Sequence, residues 1–369
     1  MNFELTAAQQ ELGGLARQIL TDLVTPELLR EAGSGQLDRA VWQELARSGV
    51  LSAALPESAG GAGLGLLEQC SVLGEIGRTV APVPYLPSIV LGAAAIAEFG
   101  SYEQRARWAV PAAQGEVILT AALAEEDCED LRTPATAAQH THGHWQLTGV
   151  KTTVPAGLNA DELLVPASTP SGVAVFLVRP GDPGVTVRPQ EVTGGDGTAL
   201  VELVRASVPA ERILGSIEAG RAIADWLTTR EIVGHCAIQL GVTERALELT
   251  AAYARSREQF GKPIGSFQAV AQRLADAWID VEAIRLTLWQ AAWRLSEGLP
   301  AEAEVATAKF WAADGGHRVA HTAVHVHGGV GIDMDGQIHR FFAAAKYHEF
   351  ALGGATAQLR EIGRVLAAG

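Results

Sequence analysis

The sequence predicts an α+β protein that is mainly helical, with helical domains at both ends and a small β domain between them. Apolar residues recur every three or four positions before residue 116 and after residue 213, as they do in amphipathic helices. Between these points, short β-branched segments are separated by Gly, Pro, Asn and Asp, which is typical of antiparallel strands. Because the two patterns occupy separate blocks, a βαβ sheet is not expected. We therefore predict domains over residues 1–115, 116–213 and 214–369.

Periodicity and capping residues predict the N-terminal elements. Thr6 can cap a helix in which Leu12, Leu15 and Ile19 recur at helical spacing. Further helices are expected over 37–47, 66–77, 88–99 and 103–113. The glycines of LPESAGGAGLG, residues 55–65, break any regular pattern and predict a loop.

The strands and the C-terminal helices follow in order. The expected strands are HWQLTGVKTTV, DELLVPAS, GVAVFLVRP, GVTVRPQ and TALVELVRASVP. Beyond Ile213 the sequence predicts long helices over 222–256, 267–297, 301–325 and 337–367. In the second of these helices an apolar and aromatic face suits either a subunit contact or an ordinary intrachain core. That face consists of Ile284, Leu288, Trp289, Ala292 and Trp293.

Composition excludes several classes of protein. The 369 residues are 48% hydrophobic and 19% charged, with a formal net charge of −14. So acidic a chain is not expected to bind nucleic acid or an anionic membrane, because both require a positive surface. Cys70, Cys128 and Cys236 are odd in number and far apart, which argues against a disulfide framework and for a reducing compartment. The start MNFELTAAQQELG lacks the pattern of a secretory signal, and no uncharged apolar run reaches membrane-spanning length, so we expect a cytoplasmic protein.

Two short stretches in the C-terminal half could bind a ligand. RSREQFGKPIGSFQ (255–268) concentrates arginines and a phenylalanine between two helices, although a solvated turn would explain any single arginine there. HVHGGVGI (325–332) would expose amide N–H groups suited to phosphate or adenine edges, although helix breaks are also glycine-rich. His317 and His321 are one helical turn apart, but no carboxylate or cysteine set completes a metal site. The sequence contains no dinucleotide-binding GxGxxG in its strand–helix context, no P-loop and no GxSxG.

Together with LPESAGGAG, these two stretches resemble three signatures of the acyl-CoA dehydrogenase family, in the same order and spacing. The resemblance covers essentially the whole chain. It implies an N-terminal helical domain, a middle antiparallel β-barrel domain and a C-terminal four-helix bundle, usually assembled as a tetramer. It also implies FAD as the cofactor and α,β-desaturation of an acyl-CoA thioester as the reaction.

The resemblance also assigns roles to individual residues. Arg257 and Phe260 match residues that reach across a dimer interface to the FAD of the neighbouring subunit. A guanidinium suits this role because it can hold pyrophosphate oxygens bidentately. The glycines of the second stretch match the segment that accommodates the adenosine half, preceded here by a histidine where the family has a glutamine. The implied cofactor-binding residues are Arg257, Phe260, Gln268, His325, Gly328 and Gly329.

The segments that would face the flavin ring depart from the family pattern. Where the family has T-E-P-x-x-G-S-D, this chain has Ala124 at the threonine position, Glu126 at the proline position and no Gly-Ser pair afterwards. Where the family has G-x-K-x-W-I-T, Thr153 replaces the tryptophan and Pro155 replaces the threonine at the end of the pattern. The acidic run EEDCED would also repel the phosphates of FAD or CoA.

The catalytic base is altered as well. The family removes the α-proton with a glutamate, which many members carry just after an A-K dipeptide near the C-terminus, and that position is Leu352 here. Glu349 lies almost a full helical turn earlier and would point elsewhere. A second placement known in the family, on the first helix of the C-terminal bundle, falls on Glu231, although Ile232 replaces the arginine that normally follows.

Three hypotheses remain open at this stage. The chain is one subunit of a heteromeric dehydrogenase, as in actinobacterial enzymes that act on CoA thioesters of sterol side chains. Alternatively it is a self-sufficient homotetramer with Glu231 as base, or a non-catalytic scaffold of the same fold. We favour the first, with a homologous dehydrogenase subunit and an acyl-CoA as partners. The electron acceptor is left open between an electron-transfer flavoprotein and oxygen.

Overall fold

The computed structural model describes residues 3–31, 37–126, 128, 131–141, 143–195 and 197–368. The helices are α1 (Ala7–Leu23), α2 (Pro26–Glu31), α3 (Arg39–Arg47), α4 (Val50–Ala53), α5 (Leu66–Thr79), α6 (Ala94–Phe99), α7 (Tyr102–Gln104), α8 (Val110–Ala113), α9 (Gly220–Ser256), α10 (Gln268–Ser296), α11 (Glu302–His327), α12 (Ile338–Phe350) and α13 (Ala355–Ala368). The strands are β1 (Leu119–Ala121), β2 (Ala137–Thr141), β3 (His144–Val154), β4 (Glu162–Thr169), β5 (Gly172–Val178), β6 (Val185–Pro189), β7 (Ala199–Pro209), β8 (Glu258–Gln259) and β9 (Lys262–Pro263). The predicted class, mainly helical with a β domain in the middle, is confirmed.

The chain forms two compact units that do not follow the sequence in single blocks. One unit contains Met1–Leu28, Leu66–Ala81 and Ile232–Gly369, and the other contains Leu29–Gly65 and Pro82–Glu231. The long helix α9 runs through both of them. The division into three domains over 1–115, 116–213 and 214–369 stays a prediction.

The first unit is helical. Thr6 accepts a hydrogen bond from the Gln9 amide while the Gln9 side chain accepts one from the Thr6 amide, so the predicted cap of α1 is a full capping box. The buried face of α1 includes Leu12 and Ile19, and this helix packs against α5. In the bundle, α11 packs against α10, α12 and α13. A Cβ on Gly241 of α9 would overlap the carbonyl oxygen of Gly74 of α5, so these helices touch backbone to backbone.

The last predicted helix is in fact two. Between α12 and α13 the chain turns at Leu352 and Gly353, whose φ angles are 54° and 97°. The side-chain amide of Gln358 donates hydrogen bonds to the carbonyl oxygens of both residues, at 3.2 Å each. The single helix expected over 337–367 was therefore wrong, because apolar periodicity continues across a left-handed turn that it cannot detect.

The second unit combines short helices with a seven-stranded sheet of order β1-β4-β2-β3-β7-β6, in which β5 also pairs with β4. The five predicted strands are present with bounds within two residues of those expected. Most pairings are antiparallel as predicted, but β4 lies parallel to β1 and meets β2 in parallel at Ala137 and Ser168. The strands β1 and β2 were not predicted. Nor were these two parallel pairings, because each joins segments that are distant in sequence. The predicted helices over 88–99 and 103–113 overlap π-helical stretches at Tyr85–Ala93 and Arg105–Ala109.

Candidate functional site

The arginine-rich connection forms a miniature hairpin after α9, which we call the arginine hairpin (residues 257–264). Its two strands, β8 and β9, are joined by Phe260 and Gly261, whose φ angles of 53° and 77° fit a two-residue type I′ turn. The amide of Ile264 closes the hairpin by donating to the carbonyl of Arg257 at 2.8 Å. Phe260 is 92% exposed, and its ring meets that of Phe267 edge-on, with centroids 6.1 Å apart. A bulky residue in a left-handed conformation costs on the order of 1 kcal/mol, and such strain concentrates at functional positions.

The surface beside this hairpin is open. Arg257 and Gln268 are exposed, and nearly all residues of the first three turns of α10 are exposed or half-buried. The large apolar residues exposed on this helix are Trp278, Ile279 and Leu286. For the predicted apolar face of the same helix, the intrachain alternative holds at Ile284, Leu288 and Ala292, which are buried within the chain.

The glycine-rich stretch follows α11 as a single 3₁₀ turn, which we call the glycine turn (residues 328–332). Gly328 has a φ of 63°. At Gly328 and Gly329, apart from the local chain itself, no heavy atom of the described residues lies within 4 Å of the position a Cβ would take. Their backbone is therefore open to close approach by a ligand. His325, one turn earlier, is also exposed.

The structure brings these two stretches together through a contact that sequence reasoning missed. The ring of Tyr253, one turn before Arg257, stacks on the ring of His327, with centroids 4.4 Å apart and planes 21° apart. The periodicity of α9 would have placed Tyr253 and Arg257 on one face, but nothing in the sequence indicates which residue of α11 meets them. The arginine hairpin and the glycine turn are thus neighbours on one unit, and we call them together the hairpin–glycine edge.

Glu231 lies on α9 and is almost fully buried, with 4% of its surface exposed. Burial raises the pKa of Glu231 to about 8, because a charged carboxylate is poorly solvated inside the protein. The carboxyl group is therefore mostly protonated at neutral pH. To accept a proton in catalysis it must first lose its own, and only a minor fraction of the carboxyl is ionised at neutral pH.

At the other position that the family uses for its base, just after the A-K dipeptide near the C-terminus, neither Leu352 nor Glu349 offers a base. Leu352 occupies the turn between α12 and α13. Glu349 accepts a hydrogen bond from Lys346 at 2.8 Å and contacts Nδ1 of His317 at 3.1 Å. Its carboxylate is therefore held in a cluster on α11 and α12. Among the described residues, no group of three or more His, Cys, Asp or Glu side chains could hold a metal ion.

A buried polar cluster at the C-terminal end of α12 was not predicted. Lys309, fully buried on α11, donates to two carbonyls in the last turn of α12, those of His348 and Glu349, at 2.9 and 3.0 Å. Nδ1 of His235 and Nδ1 of His348 are 2.9 Å apart, so one ring donates and the other accepts. Burial lowers the pKa of His235 to about 3 and also lowers the pKa of His348, with the nearby Lys309 charge acting in the same direction. The cluster anchors the C-terminal end of α12 against α9 and α11.

In the segments that the family resemblance places against the flavin ring, three backbone groups make hydrogen bonds within the chain. The amide of Thr153, at the tryptophan position and with a φ of 47°, donates to the side-chain oxygen of Gln190 at 2.6 Å. The carbonyl of Ala124 accepts the amide of Thr152 at 2.9 Å. The carbonyl of Pro155 accepts the hydroxyl of Thr120 at 2.6 Å. We call these segments, around residues 124–126 and 151–155, the β-domain edge.

A buried ion pair holds the same segments together. Nζ of Lys151 lies 2.7 Å from the carboxylate of Glu125, and the two side chains are 0% and 3% exposed. Glu125 also accepts the backbone amides of Ala135 and Thr136. The acidic run continues with Glu126, which is exposed, and with residues 127, 129 and 130, which lie outside the described residues. The β-domain edge is held together by hydrogen bonds and an ion pair within the chain, whereas the hairpin–glycine edge offers an exposed arginine and open glycine backbone.

Comparison with known proteins decides the family. The family model described as Acyl-CoA dehydrogenase, N-terminal domain, matches residues 6–116, and the one described as Acyl-CoA dehydrogenase, C-terminal domain, matches residues 218–367. The chain is 53% identical to acyl-CoA dehydrogenase FadE27 of Mycobacterium tuberculosis over 377 residues, covering 100% of this chain and 99% of that protein. The chain belongs to the acyl-CoA dehydrogenase family. The resemblance stated from the three signatures is thereby confirmed.

Solved structures agree with this assignment. A chain of the ChsE4-ChsE5 complex from Mycobacterium tuberculosis superposes with a TM-score of 0.96 at 52% identity, covering 100% of both chains. A chain of the Tcur3481-Tcur3483 steroid ACAD G363A variant superposes with a TM-score of 0.91 at 41% identity, covering 98% of both. The family consists of oxidoreductases that use FAD, so the predicted enzyme class and cofactor are confirmed. No helix among the described residues is long and apolar enough to cross a membrane.

Proposed function

We propose that this chain is one subunit of a heteromeric acyl-CoA dehydrogenase and supplies half of a cofactor site. In this arrangement Arg257, Phe260, Gln268 and the glycine turn contact FAD whose flavin ring is held by a homologous partner subunit. One observation carries the proposal, namely the opposite condition of the two edges. The hairpin–glycine edge is exposed, while the polar groups of the β-domain edge are satisfied within the chain at Thr153, Ala124 and Pro155.

The two solved relatives described above support the heteromeric assembly and the substrate class. The first is named as a ChsE4-ChsE5 complex, and the second carries the paired name Tcur3481-Tcur3483 and is called a steroid ACAD. We infer that the substrate is an acyl-CoA thioester, with the CoA ester of a steroid side chain as the specific candidate. An electron-transfer flavoprotein is the proposed electron acceptor.

The chemistry assigned to this chain's own residues is mainly binding. FAD, when bound, accepts the β-hydrogen of the thioester as a hydride. Arg257 balances the charge of the pyrophosphate, and Phe260, already exposed at the hairpin tip, provides an apolar contact beside the cofactor. Leu352 cannot take the α-proton, so the base is Glu231 or a carboxylate of the partner subunit. With its pKa raised to about 8 by burial, Glu231 is mostly protonated at neutral pH, so only its ionised fraction could take the α-proton.

A second candidate function is supported by the same carboxyl group. Catalytic carboxylates are often buried and have raised pKa values, as Glu231 does, so a self-sufficient homotetramer with Glu231 as base is the alternative. The two functions differ in what the chain does when it is alone. A half-site subunit binds little FAD by itself, whereas a self-sufficient enzyme is yellow when purified and is bleached by its substrate.

The deciding experiment is expression of the chain alone and together with a homologous dehydrogenase subunit, recording flavin absorbance and subunit stoichiometry. We expect flavin only in the mixed complex. In that complex, Arg257→Ala should weaken FAD binding by about 30- to 150-fold, because a charge-assisted bidentate contact contributes on the order of 2–3 kcal/mol. Arg255→Ala is the matched control, since Arg255 is exposed two residues earlier.

Glu231→Gln in the same complex assigns the base. Flavin reduction by an acyl-CoA that persists at the wild-type rate places the base on the partner subunit, while its loss places the base on Glu231. A flavin-loaded, substrate-reducible chain in the absence of any partner would overturn the half-site proposal in favour of the self-sufficient enzyme.

A further inference from the structure

The hairpin–glycine edge depends on residues that touch no predicted ligand. Its two parts are separated by about 65 residues of sequence, from Ile264 at the end of the arginine hairpin to Gly328 at the start of the glycine turn. A cofactor that bridges them is bound tightly only if their separation is fixed before it arrives, because ordering them on binding would cost free energy.

Tyr253 fixes the arginine side. Its carbonyl accepts the amide of Arg257 at 2.8 Å, which continues the last turn of α9 into the hairpin. Its ring is half-buried and lies flat on the imidazole of His327. The orientation of the turn that carries Arg257 is therefore tied to the position of His327.

His327 fixes the glycine side. Nδ1 of His327 lies 2.8 Å from the carbonyl of Ala323, one turn earlier in α11, so it donates and the ring cannot rotate freely. The glycine turn then folds back on this residue. A Cβ at Gly331 would lie 3.1 Å from Cβ of His327 and 3.0 Å from Cα of Val324, so only glycine allows so close an approach without displacement.

The geometry points to Tyr253 and His327 as a positioning pair that holds Arg257 and the glycine turn at a fixed separation and thereby sets the affinity for FAD. The inference rests on the proposed function, since it assumes that both parts bind one cofactor. Neither residue is a catalytic residue. Each acts through the segment that it holds.

In the test, FAD is added to the mixed complex from which the flavin has been removed, and its dissociation constant is measured by flavin fluorescence. Tyr253→Leu removes the ring and should weaken binding about tenfold, whereas Tyr253→Phe keeps the stack and should stay within about twofold of the wild type. Tyr102→Leu is the matched control, because Tyr102 is 76% exposed and lies in the other unit. The subunit stoichiometry and the Tm of these three variants should be the same as those of the wild type.

A double-mutant cycle separates a pair from two independent effects. His327→Leu should also cost about tenfold, and the double variant Tyr253→Leu with His327→Leu should cost little more than either alone, because each change already breaks the same stack. Binding within twofold of the wild type for Tyr253→Leu, or a double variant that loses about a hundredfold, would overturn the inference.

A third variant covers the case in which loss of a ring prevents assembly. Gly331→Ala keeps both rings but forces the glycine turn away from His327 by a few tenths of an ångström. We expect it to weaken FAD binding about fivefold with assembly intact, and unchanged binding would contradict the positioning role. Arg257→Ala, measured in parallel, tells the two proposals apart. If it has no effect the proposed function itself fails, whereas if it alone weakens binding only the positioning role fails.

Discussion

The hairpin–glycine edge and the β-domain edge leave their polar backbone groups in opposite conditions. At the hairpin–glycine edge, Arg257 and the backbone of Gly328 and Gly329 are exposed and the tip residue Phe260 is strained. At the β-domain edge, the amide of Thr153 is taken up by Gln190. Backbone strain is present at both edges, because Thr153 also has a left-handed φ, of 47°. The two edges therefore differ in exposure, which costs free energy in the isolated chain and persists where a ligand or partner compensates. The difference indicates that one edge serves a molecule outside this chain, while the other contributes to the stability of its own unit.

If the β-domain edge is structural, breaking its buried ion pair should affect stability and not flavin. Glu125→Gln leaves the buried ammonium of Lys151 without its countercharge, which should cost about 3–5 kcal/mol of the free energy of unfolding of this unit. Urea denaturation of the isolated chain measures this. Glu126→Gln is the control, because Glu126 is the exposed neighbour, and it should change stability by less than about 0.5 kcal/mol.

The flavin content of the folded mixed complex that carries Glu125→Gln provides the second half of the test of the β-domain edge. We expect it to equal that of the wild type. Specific loss of flavin with unchanged stability would show that the β-domain edge binds the cofactor, and the contrast between the two edges would disappear.

The sequence predicted the exposed edge better than the closed one, for a physical reason. Arg257, Phe260 and the glycines belong to contiguous signatures, so the residues of this edge could be named from the sequence alone. The left-handed conformation of Phe260 could not, because turn preferences disfavour a bulky residue at that position. The partners that close the β-domain edge, such as Gln190 for Thr153, come from distant strands and depend on a register that periodicity does not encode.

In the helical unit, too, the sequence predicted local elements but not the contacts between distant residues. The four long helical regions of the C-terminal part were predicted by apolar periodicity, but the turn at Leu352 was missed because it interrupts the backbone without interrupting the pattern. The contact between His235 and His348 joins residues 113 positions apart, so it could not be predicted without the packing of α9 on α12. The family resemblance supplied candidate site residues, whereas only the structure shows what holds them.

The two units should also respond to pH in opposite directions. In the helical unit, the folded state lowers the pKa of His235 to about 3 and lowers that of His348. Their contribution to stability is present above the unfolded pKa of about 6.5 and is lost as pH falls below it, by up to about 1.4 kcal/mol per histidine and pH unit. In the unit with the sheet, burial raises the pKa of Glu162 to about 7. Its contribution is present below the unfolded pKa of about 4.5 and is lost as pH rises towards 7.

Substitution at these sites should flatten the corresponding pH dependence. Between pH 8 and pH 5.5, His235→Leu with His348→Leu should remove about 1–3 kcal/mol of acid destabilisation. Glu162→Gln should remove a destabilisation of about 2 kcal/mol that the wild type shows between pH 5 and pH 8. Hydrogen exchange at several pH values assigns each change to its unit. The same pH slope in both variants as in the wild type would contradict the assignment.

The smallest expected effect gives the sharpest comparison, because one substitution should change stability and binding in opposite directions. Phe260 adopts a left-handed conformation with almost no packing of its ring, so Phe260→Gly should stabilise the isolated chain by about 0.5 kcal/mol as strain is relieved. In the mixed complex the same change should weaken FAD binding, since the exposed ring is lost from the cofactor contact. Arg205→Gly is the matched control: Arg205 is also exposed with a φ of 49°, but it lies in the other unit. It should give the same small gain in stability with FAD binding unchanged, and an equal loss of FAD in both variants would show that Phe260 has no particular role at the cofactor.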